Sequence, residues 1–496
     1  MDNNPQNPAT PAPDSQPTPE APELSAPAEP QAPSLAEPAP QTSDPTLAEP
    51  ALQTPKTPKA HKKPLFIALV AVILLLAGLA IFLVHDHLEN QRLDAESVTL
   101  EENLTVEFNH PAKVSDFLAE LQGELVEDFE INTERLGDQE ITFEYINIKN
   151  RKRPSKFTIE VIDATKPSIF GGSAYTVYTG YEGDLTNLML SADDIDDNPT
   201  REIRGDYDLD KPGSYTLEYA ITDASGNEAV KSFILNVIDP PTTTSNEPEP
   251  EPELMNISDI IKTHKTKNTK IGVDVSQWQG DIDWAKAKSD GVEFAMLRIG
   301  YQRGFGGEYI LDPTFESNFK NAKANNLPLG IYFYSYADSP AEAQAQADWI
   351  LKTLDEVAHA NGLDPSLELG IAFDWESWVY FNGAGMSLYT INKVAETFLQ
   401  TVQTAGYKPL LYSSKNYLDL IWQPETLAEK LSKQLSASNG ATSSAAKSTF
   451  DVWLAQYYDR VTYDGDYQIW QMTDSGAVAG IDGPVDVDIL YLEEDE

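Results

Sequence analysis

The sequence predicts a multi-domain chain with a single N-terminal transmembrane helix, two all-β sandwiches and a C-terminal irregular α/β barrel. Three observations predict this organisation. A long apolar run lies near the N-terminus, and a central region of alternating β-prone segments repeats itself. In the last part of the chain, short apolar strands alternate with helical patterns. Because a chain of 496 residues is longer than a typical single domain, several domains are expected.

Composition limits the classes of partner. The formal net charge is −44, from 35 Lys+Arg against 79 Asp+Glu, which disfavours binding to a phosphate backbone and therefore to nucleic acid. A neutral or partly cationic polymer is a more compatible partner. Cysteine is absent, so neither a disulfide framework nor a thiolate metal site is possible.

Residues 1–64 hold 17 of the 34 prolines, mixed with Ala, Glu, Gln, Ser and Thr. Such a segment lacks the apolar area that would offset chain entropy. We therefore predict a disordered, proline-rich cytoplasmic tail over this range.

Residues 65–84 contain no charge and are long enough to cross a hydrocarbon core of ~30 Å at 1.5 Å per residue. Four lysines precede this run, and acidic residues dominate after it, which orients the helix with its N-terminus in the cytoplasm. A cleaved signal peptide is the alternative, but the apolar run is long for one and no small-x-small site follows. We expect an uncleaved single-pass anchor in the cell membrane, with the rest of the chain extracellular.

The central region predicts two β-sandwiches, over residues 95–164 and 165–239. The segment Gly137–Tyr145 is similar to Gly213–Tyr219, and Val-Ile-Asp recurs at 161–163 and 237–239. The second unit resembles bacterial immunoglobulin-like surface repeats through Lys-Pro-Gly-Ser-Tyr-Thr-Leu-Glu-Tyr and the Asp-Ala-Ser-Gly-Asn that follows. We predict that both units act as spacers and that residues 240–256 form an extended linker.

The loop at residues 193–198 in the second unit offers oxygen ligands of the kind that bind calcium. It lacks the regular spacing and the glycine of a dedicated calcium loop. We interpret it as a solvated turn.

Residues 268–493 show the strand and helix rhythm of an α/β barrel. The expected strands are 271–276, 294–300, 329–336, 369–376, 409–413, 452–457, 467–472 and 485–490. The expected helices are 313–325, 340–360 and 388–405. Because the gaps between the last three strands are too short for helices, we expect those strands to be antiparallel or irregular. A Ser/Ala-rich loop is expected at 432–449.

Two carboxylates end the fourth strand, at Asp374 and Glu376. Side chains at i and i+2 share one face of a strand, ~6.6 Å apart, so both should point into the barrel mouth where barrel enzymes place their chemistry. Two carboxyl groups around one bond are what glycoside hydrolysis uses, one as acid and one to stabilise or attack the sugar carbon. We therefore predict catalysis by an acid pair.

Other strand ends supply polar and aromatic groups to the same mouth. Asp274 ends the first strand and Asp486 begins the last, which adds two candidate catalytic acids. Aromatic rings and amides near an acidic cluster are typical of sugar-binding surfaces. The candidate substrate-binding residues are Tyr334, Tyr336, Trp375, Trp378, Tyr412, Gln456 and Gln471.

The motifs Gly-Val-Asp-Val-Ser-Gln-Trp from 272, Ala-Phe-Asp-Trp-Glu from 372 and Gln-Ile-Trp-Gln-Met from 468 occur in this order. Together they resemble glycoside hydrolase family 25, the Chalaropsis-type lysozymes. The resemblance implies an irregular barrel that cleaves the β-1,4 bond from N-acetylmuramic acid to N-acetylglucosamine in peptidoglycan. It also implies that Glu376 is the proton donor and that Asp374 supports the developing positive charge.

The resemblance further matches Asp274 to the acid of the first strand and Asp486 to that of the last. The chain departs from the family at Asp488, where Asn is common, so either Asp486 or Asp488 could be the functional acid. Whether the mechanism is retaining, inverting or substrate-assisted stays open at this point. No metal or organic cofactor is expected.

Two other functions are compatible with the sequence. A non-catalytic protein that binds the cell wall could use the same surface, although a pure binder has no need of a protonatable pair. A chitin-directed hydrolase would share the sugar chemistry but would carry a longer series of alternating acids on the fourth strand. We expect peptidoglycan glycan strands and the lipid bilayer as partners.

Overall fold

The computed structural model describes residues 63–241, 253–439 and 450–492. The proline-rich tail, most of the expected linker and residues 440–449 of the expected loop lie outside the described residues. The described residues divide into two units, one up to residue 87 and one from residue 88 onward.

The apolar run forms part of helix α1, Lys63–Glu96. Within it, Ala68–Arg92 is long and apolar enough to cross a membrane, with a mean hydropathy of 2.8 in its most apolar window. At 1.5 Å per residue the whole helix is longer than a hydrocarbon core of ~30 Å. Its polar last turns, which begin at His85, are therefore not needed for a span.

Residues 97–239 form two small β-modules that use one topology twice. Module 1 contains β1 (Val98–Leu100), β2 (Thr105–Glu107), β3 (Leu118–Leu121), β4 (Gly123–Leu125), β5 (Gly137–Asn147) and β6 (Lys152–Ile162). Module 2 contains β7 (Ser168–Phe170), β8 (Ala174–Tyr178), β9 (Leu190–Ala192), β10 (Thr200–Arg204), β11 (Gly213–Thr222) and β12 (Glu228–Ile238).

The strand order is β4-β5-β6-β2 in module 1 and β10-β11-β12-β8 in module 2, and each module adds a two-stranded sheet, β1-β3 or β7-β9. In each four-stranded sheet, the strand that comes first in the sequence pairs in parallel with the strand that comes last, β2 with β6 and β8 with β12. The other pairs are antiparallel. The sequence repeat is thus matched by a repeat in topology. The immunoglobulin-like assignment stays a prediction.

The C-terminal part alternates strands and helices. Its strands are β13 (Met255–Asn256), β14 (Thr269–Val275), β15 (Phe294–Gln302), β16 (Tyr309–Leu311), β17 (Leu329–Ser335), β18 (Gly370–Trp375), β19 (Pro409–Ser414), β20 (Asp451–Ala455), β21 (Ile469–Ala477) and β22 (Val485–Tyr491). Its helices are α2 (Ile257–His264), α3 (Trp284–Asp290), α4 (Phe315–Ala324), α5 (Pro340–Ala360), α6 (Leu388–Thr404), α7 (Lys415–Leu420) and α8 (Pro424–Asn439).

Eight of these strands close into a ring. The pairs run β14-β15-β17-β18-β19-β20-β21, and β22 joins β21 back to β14. Only β22 runs antiparallel to its neighbours in this ring; β20 and β21 are parallel to theirs although no described helix separates them. The expected antiparallel ending therefore holds for the last strand alone. Residues 432–439 of the expected loop belong to α8.

Alternation along the strands separates two apolar layers. Inward residues such as Met296, Ala372 and Leu410 fill the ring, together with Trp453. Their outward neighbours pack under the helices in a second and larger cluster that includes Ile371, which is fully buried. Because each strand has a period of two, polar residues at inward positions near the strand ends must face the mouth of the ring.

Module 2 is joined to the barrel just beyond β18. The side chain of Asn382 donates to the carbonyl oxygens of Thr186 (3.1 Å) and Met189 (2.7 Å) and accepts from the amide of Ser191 (3.0 Å). Ala192 is fully buried and belongs to the same apolar cluster as the outer barrel layer. The module therefore shares a core with the barrel.

We expect Asn382→Ala to lower the free energy of unfolding by about 1–3 kcal/mol, because it leaves two carbonyl groups and one amide at the junction without their partner. Thermal unfolding of the full chain in detergent, followed by tryptophan fluorescence, measures the effect. Asn187→Ala, at an exposed position of the same module, is the control and should change little. Equal effects of the two substitutions would contradict the role of Asn382.

Candidate active site

A cavity of about 240 Å³ opens at the carboxyl ends of the parallel barrel strands. The first, fourth and last strands of the ring deliver its acids: β14 carries Asp274, β18 leads to Asp374 and Glu376, and β22 carries Asp486. Asp274 and Asp486 are at least 100 positions from the Asp374–Glu376 pair along the chain, yet all four acids line one cavity. The lining residues are Asp274, Ser276, Trp278, Gln279, Arg298, Tyr332, Tyr334, Asp374, Glu376, Tyr412, Trp453, Tyr457, Gln471 and Asp486.

The conformation of β18 determines where the Asp374 and Glu376 side chains point. Gly370 begins the strand with φ 101°, and a Cβ at this position would collide with the carbonyl oxygen of Lys408. The strand then alternates, so Asp374 and Glu376 face the cavity while Trp375 between them faces the helices. Asp374 is only 2% exposed, whereas the Glu376 side chain reaches solvent at the mouth.

Asp374 and Glu376 lie close enough for each to change the pKa of the other. Burial and then repulsion by Glu376 raise the pKa of Asp374 well above its ordinary value, against the opposing effect of Arg298. Desolvation under the cavity rim raises the pKa of Glu376 as well, but its hydrogen bond with Asp374 opposes the rise. The larger increase therefore falls on Asp374, the member that water does not reach.

A second carboxyl pair lies deeper, between Asp274 and Asp488. Asp488 is fully buried, and its Oδ1 accepts a hydrogen bond of 2.8 Å from the indole Nε1 of Trp453. Burial raises the pKa of both acids well above the ordinary value, and the charge of Asp488 raises that of Asp274 further. Both acids of this deep pair therefore bind a proton more readily than an exposed aspartate does.

Gln471 links the deep pair to the cavity wall. Its Nε2 donates to Asp274 Oδ2 at 2.8 Å, and its Oε1 accepts from the hydroxyls of Tyr412 (2.9 Å) and Tyr457 (3.0 Å). The two hydroxyls fix the orientation of the amide, because only its oxygen can accept from both. The side chain of Asp274 is thereby held in place.

Asp486, rather than Asp488, is the acid of the last strand that lines the cavity. Burial and the nearby Asp274 raise its pKa to about 9. Asp488 lies one inward position further from the mouth, because β22 runs away from the cavity. The departure from the family at this position thus changes the floor of the site, not its lining.

Four of the residues predicted to bind substrate lie outside the cavity lining. Trp375 is fully buried and donates from Nε1 to Ala337 O, and Trp378 stacks on Tyr417 with ring centroids 4.0 Å apart. Tyr336 packs edge-on behind Tyr334, and Gln456 binds Thr462 through both ends of its amide. Tyr334, Tyr412 and Gln471 do line the cavity.

Several lining residues were not among the predicted set. Arg298 is the one basic side chain in the lining and is held by Asp312, with its Nε 2.8 Å from Oδ2. An arginine at an inward position of an apolar strand was a usable signal for it. Trp278 is 77% exposed, and Tyr457, on the loop after β20, is 49% exposed. Both residues follow the end of a strand, and this position in the sequence could have predicted that they line the cavity.

The family model described as glycosyl hydrolases family 25 matches residues 273–481. This segment is therefore similar to that family. The protein is a glycosidase. The match covers β14 to the end of β21 and includes Asp274, Asp374 and Glu376, whereas Asp486 and Asp488 follow it.

Among the relatives of this glycosidase, the uncharacterized protein YegX of Escherichia coli K12 is 29% identical over 227 residues, which cover 44% of this chain and 68% of YegX. The autolytic lysozyme of Clostridium acetobutylicum is 25% identical over 218 residues, 44% of this chain and 54% of the relative. The solved autolysin LytC of Streptococcus pneumoniae, in complex with a synthetic peptidoglycan ligand, is 22% identical with a TM-score of 0.36. It covers 55% of this chain and 56% of its own. The chain thus spans just over half the length of these last two relatives.

We expect Asp488→Asn to make the stability of the glycosidase less sensitive to pH. A buried acid with a raised pKa binds a proton in the folded state that the unfolded chain releases, so stability falls as pH rises from ~4 toward the folded pKa. Removing one such acid should reduce this slope by up to about 1.4 kcal/mol per pH unit. Melting temperatures of both proteins between pH 5 and 8 measure the difference.

The asparagine can still accept from Trp453 and can donate to Asp274, so the hydrogen bonds are kept. Asp482→Asn, at an exposed position before β22, is the control and should leave the slope nearly unchanged. Parallel pH curves for wild type and Asp488→Asn would show that the deep pair does not hold a proton.

Proposed function

We propose that the chain is a membrane-anchored, extracellular peptidoglycan hydrolase that cleaves the β-1,4 bond between N-acetylmuramic acid and N-acetylglucosamine. One observation carries the proposal: two interacting acids with raised pKa values, Asp374 and Glu376, line one cavity in the segment that matches the glycosyl hydrolase family. The relative named autolytic lysozyme supports the choice of polymer.

The walls of the cavity suit a glycan strand. Trp278 and Tyr457 expose their rings at the mouth, where the apolar face of a pyranose can stack on them. The hydroxyls of Tyr334 and Tyr412 and the amide of Gln471 supply hydrogen bonds deeper inside. A neutral sugar backbone is also compatible with a protein of net charge −44.

In the free enzyme a proton resides mainly on Asp374, since that carboxyl is the more buried. A bound glycan strand removes water from Glu376 and raises its pKa, so the proton moves along the hydrogen bond to Glu376. Glu376 then protonates the leaving glycosidic oxygen as the general acid. Asp374, now ionised, stabilises the positive charge that develops on the sugar carbon.

Asp274 and Asp486 are the other two acids that line the cavity. Asp274 is held by Gln471 and has a raised pKa, so it hydrogen-bonds without adding a full charge beneath the reacting sugar. Asp486, with its pKa near 9, is protonated at neutral pH and can donate to a substrate oxygen.

Helix α1 provides the anchor. We place the span within residues 65–92, with the lysine-rich side in the cytoplasm and the glycosidase outside, where the cell wall is. The lipid bilayer is the second partner in this proposal, through one helix.

Glu376→Gln should lower the release of reducing ends from purified peptidoglycan by about 10²–10⁴-fold, because glutamine cannot supply the proton. Reducing-end assays on cell-wall preparations measure this loss. Asp364→Asn, an exposed acid in the loop before β18, is the matched control and should keep full activity. Co-sedimentation with cell walls should persist in Glu376→Gln. Turnover equal to wild type would refute the role of Glu376 and favour a protein that only binds the wall.

Asp374→Asn should shift the alkaline limb of the residual activity to higher pH. The hydrogen bond with Asp374 lowers the pKa of Glu376, and an amide at this position bonds a carboxylate less strongly, so Glu376 keeps its proton to a higher pH. The measurement is kcat/KM against pH on a soluble glycan fragment, with the Asp364→Asn protein as reference. An unmoved limb would mean that another group donates the proton.

A further inference from the structure

Five carboxylates meet where module 1, module 2 and the barrel adjoin. Glu107 ends β2, Asp163 follows β6, Asp193 and Asp194 follow β9, and Asp223 follows β11. One oxygen each of Glu107, Asp163 and Asp194 lies within 4.8 Å of the other two, and the same is true of Asp163, Asp193 and Asp223. Asp163 belongs to both triads, so the cluster is continuous.

Three of these carboxylates each have one buried oxygen without a hydrogen-bond partner. Asp193 is 0% exposed; its Oδ1 accepts from the amides of Ile195 (3.0 Å) and Asp196 (2.6 Å), but its Oδ2 has no partner. Asp163 Oδ1 and Asp194 Oδ1 are likewise buried and unpartnered. A buried carboxylate oxygen left in this way is costly unless a counter-charge meets it.

No lysine or arginine supplies that counter-charge within the described ranges, since none of the five carboxylates takes part in an ion pair there. Burial and mutual repulsion raise the pKa of Asp163 and Asp193, and they raise the pKa of Asp194 to about 7. The protein therefore holds repelling acids together at a junction, away from the catalytic cavity.

We propose that this cluster binds calcium and that the ion joins the two modules to each other and to the barrel. All donors are carboxylate oxygens, which a hard divalent cation prefers over the nitrogen and sulfur ligands of zinc. With Ca²⁺–oxygen distances of ~2.3–2.6 Å, ligand oxygens across one ion are up to ~5 Å apart, which accommodates both triads. The 193–198 loop, interpreted as a solvated turn from its sequence, supplies only part of the site; the rest comes from residues 107, 163 and 223.

The same loop is bound to the barrel through its main chain and its last acid. The amides of Leu388 and Tyr389 donate to the carbonyl oxygens of Asp193 and Asp194, both at 2.8 Å. Asp197 Oδ1 accepts from the amide of Ser387 (2.7 Å), the residue that caps α6. An ion on the inner side of this loop thus fixes the groups that hold the start of α6 on its outer side.

The test is a calcium titration of the full chain in detergent after dialysis against EGTA. Isothermal titration calorimetry should show saturable binding of one or two Ca²⁺ per chain, and the melting temperature should rise with Ca²⁺. Magnesium at the same concentration should give a clearly smaller rise. The proposal fails if wild type shows no saturable heat and melts at the same temperature in EGTA and in Ca²⁺, or if magnesium matches calcium.

Asp193→Asn and Asp163→Asn should each weaken Ca²⁺ binding at least tenfold. In EGTA both variants should melt no lower than wild type, because each substitution removes a repelling charge, whereas in Ca²⁺ they should melt lower. This reversal separates loss of a ligand from simple damage to the fold. Asp206→Asn, at an exposed position of module 2, is the control and should bind as wild type does. Unchanged Ca²⁺ affinity in Asp193→Asn would overturn the site, and if the variants do not fold, the wild-type titration decides.

Discussion

The pairing of the first and last barrel strands is the constraint on which the catalytic site depends. β22 runs antiparallel to β14 and sets Asp486 opposite Asp274 and Asp488 opposite Gly272. Were β22 parallel, or displaced by one residue, its two acids would leave the interior of the ring. The same strand pairing therefore closes the barrel and brings the acids of the floor together.

This arrangement concentrates carboxyl groups where water is scarce. Asp374 lies beside Glu376 at the mouth, and Asp274 lies beside Asp488 on the floor. Burial raises the pKa of all four acids. The two pairs differ in access to solvent: Glu376 is open to water, whereas Asp488 is sealed beneath Trp453. A bound molecule can therefore reach the upper pair but not Asp488.

Much of the barrel could be predicted from the sequence because its strands are short apolar runs between helical patterns. The expected helix over 340–360 has the observed bounds, and the acid pair follows from the i, i+2 geometry of a strand. The same geometry sends Trp375 to the helix side, so assigning it to the sugar surface ignored the alternation that placed its neighbours. Trp378 and Gln456 were misplaced for another reason: they lie beyond strand ends, where loop conformation decides and periodicity gives no information.

Contacts between segments that are distant in the sequence could not be predicted from local patterns. The junction of residues 107, 163, 193, 194 and 223 arises from the turns of two repeated modules, and no local spacing indicates it. The parallel pairing of β20 with β21 was also missed, because a crossover without a described helix leaves no helical signature in the sequence. Arg298 was overlooked as a single charge within an apolar strand.

The shared core of module 2 and the barrel bears on how this protein can be dissected. Leu190 and Ala192 pack with the outer barrel layer, and Asn382 fills its hydrogen bonds with main-chain groups of the module. A fragment that starts at the barrel would expose an apolar patch. It would also leave the side chain of Asn382, in the segment that follows Glu376, without its hydrogen-bond partners. Loss of solubility or turnover in such a fragment would report the missing neighbour, not a defect in the catalytic residues.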